Sequence, residues 1–241
     1  VPIDLTTIVT PQDRARGWID VFATALVQGD TWTVYRHNPT GRQLTATAVI
    51  ATPETMAMIR SVEAMSARGI CVIPMPQVMQ LDEGEVSLRD GWRISVLGEV
   101  TEADRFGAED LADQVKERAQ INLKLAPGGE IVLELVSPGR LQTQARRLGL
   151  ELSQVVAGAY LLEVGDTVHA WAAEGDGLFY AAQTIAQLVS PRGTLPRCRI
   201  ADWPAYAVRG LQYDVARGQT VEVEWWQRLI RALGRCKLNM L

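Results

Sequence analysis

The most regular pattern of hydrophobic and polar positions runs over residues 175–193. Apolar residues recur there at the i, i+3, i+4, i+7 spacing of one helix face, at Leu178, Ala181, Ala182, Ile185, Leu188 and Val189. This spacing predicts an amphipathic helix with one continuous buried stripe. Asp176 is a candidate N-cap, because its short side chain can accept from free N–H groups of a first turn. Ser190-Pro191-Arg192-Gly193 is expected to end the helix.

A second helical pattern covers residues 103–120, with Leu111, Val115 and Ala119 on one face. Strand-like runs surround the two helices, at residues 77–81, 85–88, 92–97, 131–136, 160–164 and 168–172. Helices that need a sheet to cover their apolar faces indicate an α+β domain. We therefore expect two layers, a mostly antiparallel sheet covered by helices, over residues 71–203.

Turn residues separate these strand-like runs. Asp82-Glu83-Gly84 divides the first two, Asp90-Gly91 follows the second, and Gly165-Asp166-Thr167 joins the last two. An Asp-Gly pair between strands favours a hairpin, because both residues tolerate the positive φ angles of a tight turn. The sequence therefore predicts hairpins at residues 90–91 and 165–167.

Residues 1–70 form a less regular segment that we interpret as helical. Apolar residues at helical spacing predict one helix over residues 14–27, at Trp18, Val21, Phe22, Ala25 and Leu26. A second helix is predicted over residues 53–68. This segment has a short similarity to the closing helix of dehydrogenases of the glucose-fructose oxidoreductase type. The similarity contains no catalytic residue, and an extra helical layer or an upstream linker is the favoured alternative. The prolines of Ile73-Pro74-Met75-Pro76 favour extended backbone and indicate the boundary to the α+β domain.

The last residues, 204–241, follow a strand, loop, helix, strand order. Residues 211–213 are strand-like, and Thr220 is a candidate cap for a helix. We expect a buried stripe on that helix, formed by Trp226, Leu229, Ile230 and Leu233. Residues 239–241 then begin a second strand. This order predicts the first, truncated βα unit of a (β/α)8 barrel.

Composition excludes several classes of function. The 241 residues carry a net charge of -4 and no long run of Lys or Arg, so we expect no nucleic-acid partner. No apolar run reaches the roughly 18 residues of a membrane span, so no membrane partner is expected. Cys71, Cys198 and Cys236 are odd in number and widely spaced, which fits neither a disulfide framework nor a zinc site. The chain starts at Val1, so the compartment, secreted or periplasmic included, stays open.

Few residues outside the C-terminal segment suggest chemistry. His37 and His169 have no Cys, Asp or Glu at metal-ligand spacing, and we expect no metal and no cofactor. No glycine-rich run follows a strand in a phosphate-binding pattern. Asp82-Glu83 and Glu109-Asp110 are adjacent carboxylates, but one pair lies in a turn and the other at a helix start. We interpret both pairs as solvated.

Several motifs, in order, resemble the β-N-acetylhexosaminidases of glycoside hydrolase family 20. The resemblance covers about residues 73–241 and rests on the segments Ile73-Pro74-Met75-Pro76, residues 160–172, Gly177 to Leu188, Leu195-Pro196, Ile200, Asp202, Pro204, Arg209-Gly210, Asp214, Arg217, and Lys237, Asn239 and Leu241. It implies an accessory α+β domain followed by the start of a (β/α)8 catalytic barrel.

The resemblance also implies roles for three residues. Arg209 matches the family arginine that binds hydroxyls of the non-reducing sugar, a role that suits a permanently charged guanidinium fork. An ion pair with Asp214 is the alternative for Arg209. Asp214 and Arg217 occupy the strand-to-loop position and are expected to support the site loop. Gly218 departs from the family, which commonly has histidine there.

The family mechanism is retaining hydrolysis of a terminal N-acetylhexosamine, in which the substrate's own acetamido oxygen attacks the anomeric carbon. Its Asp-Glu pair belongs at the end of the fourth barrel strand, which residues 1–241 do not reach. We therefore expect no catalytic residue and no activity in this chain alone. Alternatives are a non-catalytic carbohydrate-associated or packing module, or the same accessory domain before another barrel glycosidase, such as an α-glucuronidase. The uncovered partial barrel predicts self-association, or disorder, after about Trp203.

Overall fold

The structure is a computed structural model that describes residues 18–21, 25–26, 31–32, 46–49, 65, 67–214 and 221–241. The chain divides into two compact units, Val1–Ala64 and Met65–Leu241. None of the helices in the described ranges is long and apolar enough to cross a membrane. The second unit carries all residues to which the sequence assigns a possible site.

The described part of the first unit consists of short strands. They form two antiparallel pairs, β1 (Trp18–Val21) with β4 (Ala46–Val49) and β2 (Ala25–Leu26) with β3 (Thr31–Trp32). The helix predicted over residues 14–27 is therefore wrong. Trp, Ile and Val in the β1 segment favour strands, and this preference outweighs a helical spacing of only five apolar positions. The helix predicted over residues 53–68 lies almost entirely outside the described residues.

A seven-stranded sheet forms the centre of the second unit. Its strands are β5 (Val78–Ser87), β6 (Arg93–Leu97), β7 (Lys124–Leu125), β8 (Ile131–Leu135), β9 (Tyr160–Val164), β10 (Val168–Ala172) and β11 (Thr194–Asp202). They lie in the order β5-β11-β9-β10-β8-β6-β7.

The sheet is mixed, which corrects the expectation of a mostly antiparallel one. The neighbours β5, β11, β9 and β10 pair antiparallel, whereas β10, β8, β6 and β7 pair in parallel. A helix connects β6 to β7, and a second helix follows β8 before the chain returns to the sheet. Parallel neighbours need such crossover connections, so the helices account for the parallel half.

Four helices occur in the described residues of this unit: α1 (Glu102–Ala119), α2 (Pro138–Arg147), α3 (Gly175–Leu188) and α4 (Val223–Arg235). Side chains on one face of the sheet pack in a single core with α1 and α3. Leu161, Trp171 and Ala201 point the opposite way and form a second core with α2. Helices therefore cover both faces, and the predicted two-layer arrangement gains a partial third layer.

The α2 segment was not predicted as a helix, although its start has clear signals. Ser137 is the N-cap and accepts from the N–H of Arg140, and Pro138 occupies the first helical turn. Leu141 and Ala145 are buried, one turn apart. This helix is short, so only two core positions mark it in the sequence.

Three predictions for the central elements are confirmed. α1 and α3 occupy the predicted segments, and β9 and β10 form an antiparallel hairpin. The N-cap of α3 is Glu174, so Asp176 lies in the first turn instead. There its carboxylate is next to the positive end of the helix dipole, which stabilises the helix start.

Two turn predictions are wrong. Residues 82–84 do not separate two strands, because they lie within β5; they form an irregularity where the register of β5 with β11 shifts, opposite Pro196 to Cys198. Asp90-Gly91 does not form a hairpin, since β5 and β6 lie in different parts of the sheet. The Asp90 carboxylate instead accepts from the backbone N and the Nδ2 of Asn122, at 2.8 and 2.9 Å.

The C-terminal segment has a different character. Gly210 and Met240 form an isolated parallel bridge, and residues 211–213 are not part of a strand. α4 begins after the N-cap Glu222 and contains no fully buried residue, so the stripe predicted as buried is only partly covered: Trp226, Leu229 and Leu233 are half-buried. Ile230, in that stripe, is 55% exposed. Thr220 lies outside the described residues.

Candidate functional site

Arg209 lies just before the parallel bridge, where the C-terminal segment meets the sheet. Its Nε donates to the carbonyl of Lys237 at 2.9 Å, and Nη1 donates to the carbonyl of Tyr206 at 2.6 Å. Nη2 donates to the hydroxyl of Tyr180 at 2.8 Å. Among the ion pairs between described residues, none joins Arg209 to Asp214. The guanidinium is therefore held by neutral oxygens from three separate parts of the chain.

Tyr180 comes from α3 and reaches this segment from the sheet side. Its ring lies beneath the guanidinium of Arg209, with 5.3 Å between Cζ and the ring centroid. The residue is only 6% exposed. Burial raises the pKa of the Tyr180 phenol, with Arg209 opposing the effect. The hydroxyl is thus a neutral acceptor for Arg209.

Lys237 follows α4, and its side chain is buried against β9 and β11. Its backbone is left-handed, with φ of 59°, and its side chain is 4% exposed. Nζ donates to the carboxylate of Asp202 and to the hydroxyl of Tyr160, both at 2.9 Å. A buried ammonium is costly unless it is paired, and this one has a charged and a neutral partner.

The partners of Lys237 form a buried polar network. The second carboxylate oxygen of Asp202 accepts from the backbone N of Gln77 at 3.2 Å. The hydroxyls of Tyr160 and Thr184 lie 2.6 Å apart. Burial lowers the pKa of the Lys237 ammonium against the opposing effect of Asp202, and burial raises the pKa of the Tyr160 phenol well above its usual value. The network ties the C-terminal segment to β9, β11 and α3.

A pocket of about 200 Å³ opens beside this network. Its polar lining comes from Gln77, Tyr180, Asp202, Arg209 and Lys237, and apolar and aromatic side chains complete it. Among the described residues that line it, Asp202 is the only carboxylate, and Lys237 and Gln77 already engage both its oxygens. The pocket therefore has donors for hydroxyl groups but no pair of free acids for acid–base chemistry.

The other predicted site residues are described only in part. Asp214 is exposed, and Arg217 and Gly218 fall outside the described residues. The roles predicted for these three residues therefore stay predictions.

The two carboxylate pairs are partly engaged, so their interpretation as solvated is incomplete. The Asp82 carboxylate accepts from Nε and Nη2 of Arg199 at 3.2 and 3.0 Å. The Asp110 carboxylate accepts from the amides of Gln114 and Gln183, both at 2.7 Å. Glu83 and Glu109 are exposed. Each engaged carboxylate links neighbouring elements of the fold, which is a structural role.

His169 has a packing role. Its ring stacks on Trp171 with 3.9 Å between centroids, and Nε2 lies 3.1 Å from the Glu134 carboxylate. Burial lowers the pKa of the His169 imidazole, and Glu134 raises it in opposition. The described part of the chain contains no group of three His, Cys, Asp or Glu that could hold a metal ion.

Sequence reasoning missed the contacts that hold Arg209. Tyr180, Asp202 and Lys237 each belong to a recognised motif, yet no pattern pairs them with one another. Lysine and aspartate are rarely buried unless they are paired, so the sequence favoured exposed positions for Lys237 and Asp202. Their pairing spans 35 residues and depends on the fold.

Comparison with known proteins places residues 69–203 in one family. They match the model described as glycosyl hydrolase family 20, domain 2, which covers more than half of the chain. A β-N-acetylhexosaminidase from Cellulomonas fimi is 28% identical over 179 residues, or 71% of this chain. The chain spans only 34% of that relative's length.

Solved structures agree on the fold. A family 20 exo-β-N-acetylglucosaminidase from Vibrio harveyi, in complex with N-acetylglucosamine, matches 70% of this chain with a TM-score of 0.56 and 22% identity. An N-acetyl-β-hexosaminidase from Streptomyces plicatus matches the same share with a TM-score of 0.57 and 23% identity. The match covers 24% and 33% of those two chains, respectively.

Proposed function

Because the chain belongs to glycosyl hydrolase family 20, we propose that it is the amino-terminal part of a β-N-acetylhexosaminidase. Residues 71–203 serve as the accessory α+β domain, and residues 204–241 begin a (β/α)8 catalytic barrel. The observation that carries the proposal is the family match over residues 69–203, followed directly by a segment with a parallel bridge between Gly210 and Met240. Parallel pairing across a helix is what a barrel's first unit requires.

Arg209 is the proposed contact to the substrate, an N-acetylhexosaminide. A guanidinium carries five N–H groups, and the contacts with Lys237, Tyr206 and Tyr180 use three of them. The other two are assigned to hydroxyls of the terminal sugar. Arg209 borders a pocket with aromatic walls, which supports this assignment. Asp214 and Arg217 are assigned to shaping the loop after the first barrel strand.

The proposed reaction follows the substrate-assisted, retaining scheme of the family. The acetamido oxygen of the bound sugar attacks the anomeric carbon as the glycosidic C–O bond breaks, while the Asp of an Asp-Glu pair orients the acetamido group and its Glu protonates the leaving oxygen. The Glu then takes a proton from the water that attacks the anomeric carbon and releases the acetamido oxygen. That pair is assigned to a fourth barrel strand, which residues 1–241 do not include. The 241-residue chain therefore contributes sugar binding without chemistry.

Two measurements test the proposal. We expect the purified 241-residue chain to release no chromophore from a chromogenic N-acetylglucosaminide above background. The full-length protein from the same gene should release it. Turnover by the 241-residue chain contradicts the assignment of chemistry to later residues, and inactivity of the full-length protein on this substrate contradicts the hexosaminidase assignment. Activity on a glucuronide instead would favour another barrel glycosidase.

A further inference from the structure

We infer that Tyr180 is a positioning residue, through which the accessory domain orients Arg209 for sugar binding. This inference rests on the proposed function, because it needs Arg209 to contact the substrate. It assigns the accessory domain a part in substrate recognition, in addition to its packing. The three contacts of Arg209 and the surroundings of the Tyr180 ring carry the inference.

The guanidinium of Arg209 needs external restraint to present donors in one direction. An arginine side chain has about 2 kcal/mol of rotamer entropy to lose when it is fixed. Two of its three acceptors are the backbone carbonyls of Tyr206 and Lys237. The third is the Tyr180 hydroxyl, which alone of the three belongs to a side chain. Tyr180 is therefore the one of these three acceptors that a side-chain substitution can remove, and its loss should loosen the orientation of the Arg209 guanidinium.

Tyr180 is itself held rigidly. Thr184, one turn later in α3, donates from its hydroxyl to the carbonyl of Tyr180 at 3.1 Å. The ring packs against Phe179 with 5.9 Å between centroids. On the other side, Gly158 has a φ of 84°, and a Cβ there would lie 2.6 Å from the tyrosine Cε2. A Cβ at this position would displace the ring, so Gly158 allows the ring to lie where its hydroxyl reaches Arg209.

Lys237 makes a second connection between Arg209 and α3. Its carbonyl accepts from Arg209, while its ammonium donates to Tyr160, whose hydroxyl lies 2.6 Å from that of Thr184. Two chains of hydrogen bonds therefore connect Arg209 to α3. One runs directly through Tyr180, and the other runs through Lys237 and Tyr160 to Thr184. With both restraints in place, one N–H of Nη1 and one N–H of Nη2 are not used by these three hydrogen bonds.

The test is a double-mutant cycle in the full-length protein, with a chromogenic N-acetylglucosaminide as substrate. Tyr180→Phe removes only the hydroxyl and keeps the ring against Gly158, so we expect the variant to fold. One hydrogen bond to a charged group is lost, and KM should rise roughly tenfold with kcat changed less than about twofold. Thermal unfolding of each variant checks folding.

The cycle separates positioning from a structural role. In an Arg209→Ala background, Tyr180→Phe should have no further effect on KM, since the group that it orients is absent. An equal loss in both backgrounds, or an unchanged KM for Tyr180→Phe alone, would overturn the inference. If wild-type protein hydrolyses the substrate and Arg209→Ala leaves KM unchanged, the assignment of Arg209 fails with it. An inactive wild-type protein would overturn the proposed function and this inference together.

Discussion

The helices α3 and α4 have similar sequence patterns but different surroundings. Both carry an apolar stripe at helical spacing on one face and polar residues on the other. In α3, ten of the 14 residues are buried, whereas α4 has no buried residue among its 13. α3 packs on the sheet and on α1, and α4 makes few contacts with the rest of the described unit.

The difference shows what an amphipathic pattern can and cannot tell. It identifies the face that requires a partner, but the partner need not lie within the 241 residues. Val223 and Ile230 of α4 are 66% and 55% exposed. Our proposal of a barrel start supplies later strands as the partner, and self-association of the chain is the alternative cover.

A matched pair of isoleucine substitutions tests the comparison most directly. Ile185 in α3 is fully buried, and Ile185→Ala should lower the free energy of unfolding of the 241-residue chain by about 3 kcal/mol. Ile230→Ala in α4 should change it by less than about 0.5 kcal/mol, because that side chain is largely in water already. Urea unfolding followed by circular dichroism measures both values.

The same experiment at several protein concentrations sharpens the result. A cost for Ile230→Ala that grows with concentration would mean that a second copy covers α4. Equal costs at the two positions, independent of concentration, would refute the contrast between the helices.

Glycine-to-alanine substitutions give the next largest contrast. In α3, a Cβ at Gly177 would overlap the carbonyl oxygen of Ala159, so Gly177→Ala should destabilise the chain by about 2 kcal/mol. In α4, a Cβ at Gly234 would meet Phe179 Cζ at 3.5 Å, an ordinary contact. Gly234→Ala should therefore stabilise by about 0.5 kcal/mol through helix propensity. If both substitutions shift the thermal unfolding temperature in the same direction, the proposed difference in packing between α3 and α4 is contradicted.

The smallest expected effect is a loss of stability at alkaline pH, caused by a thiol buried between the sheet and α3. Burial raises the pKa of the Cys198 thiol, in the core beneath α3, to about 12 from 9.0. Above pH 9 the unfolded chain releases this proton while the folded chain retains it, so stability falls as pH rises from about 9 to 12. Between pH 8 and 10 the loss should be about 1 kcal/mol in reducing buffer.

Cysteine variants identify the source of that slope. Cys198→Ala should remove most of it and leave the smaller part that the buried Tyr160 and Tyr180 phenols contribute, and Cys236→Ala, at the half-exposed end of α4, should leave the slope intact. Urea unfolding at pH 8 and pH 10 measures the difference. An unchanged slope in Cys198→Ala would assign the alkaline loss to groups other than Cys198.

The sequence predicted those elements whose burial is dense and local. α1, α3 and the β9–β10 hairpin have several core positions at one period, and their turns carry matching residues. α2, with two buried residues, and the two-residue strand β7 offer too few positions for any period to be recognised. Pairing of β8 with β10 and β6 follows from the crossover helices and has no local signal.

The candidate site was predictable only in part. The resemblance indicated Arg209, since that residue stands in a motif of fixed order. Its acceptor Tyr180 lies 29 residues away, and the Tyr160 partner of Lys237 lies 77 residues away. Contacts at such separations depend on the completed fold. Two local signals were also misleading, because Asp90-Gly91 bonds to Asn122 and β1 lies within an apparent helix period.

The buried pair of Lys237 with Asp202 imposes an order of assembly on a chain made from its amino terminus. Asp202 belongs to the last strand of the sheet, and Lys237 leaves the ribosome 35 residues later. Because an unpaired ammonium is costly to bury, we expect Lys237 to dock only after β9 and β11 have paired. During translation we therefore expect the sheet to fold first and the C-terminal segment to dock on it afterwards, through the pair of Lys237 with Asp202.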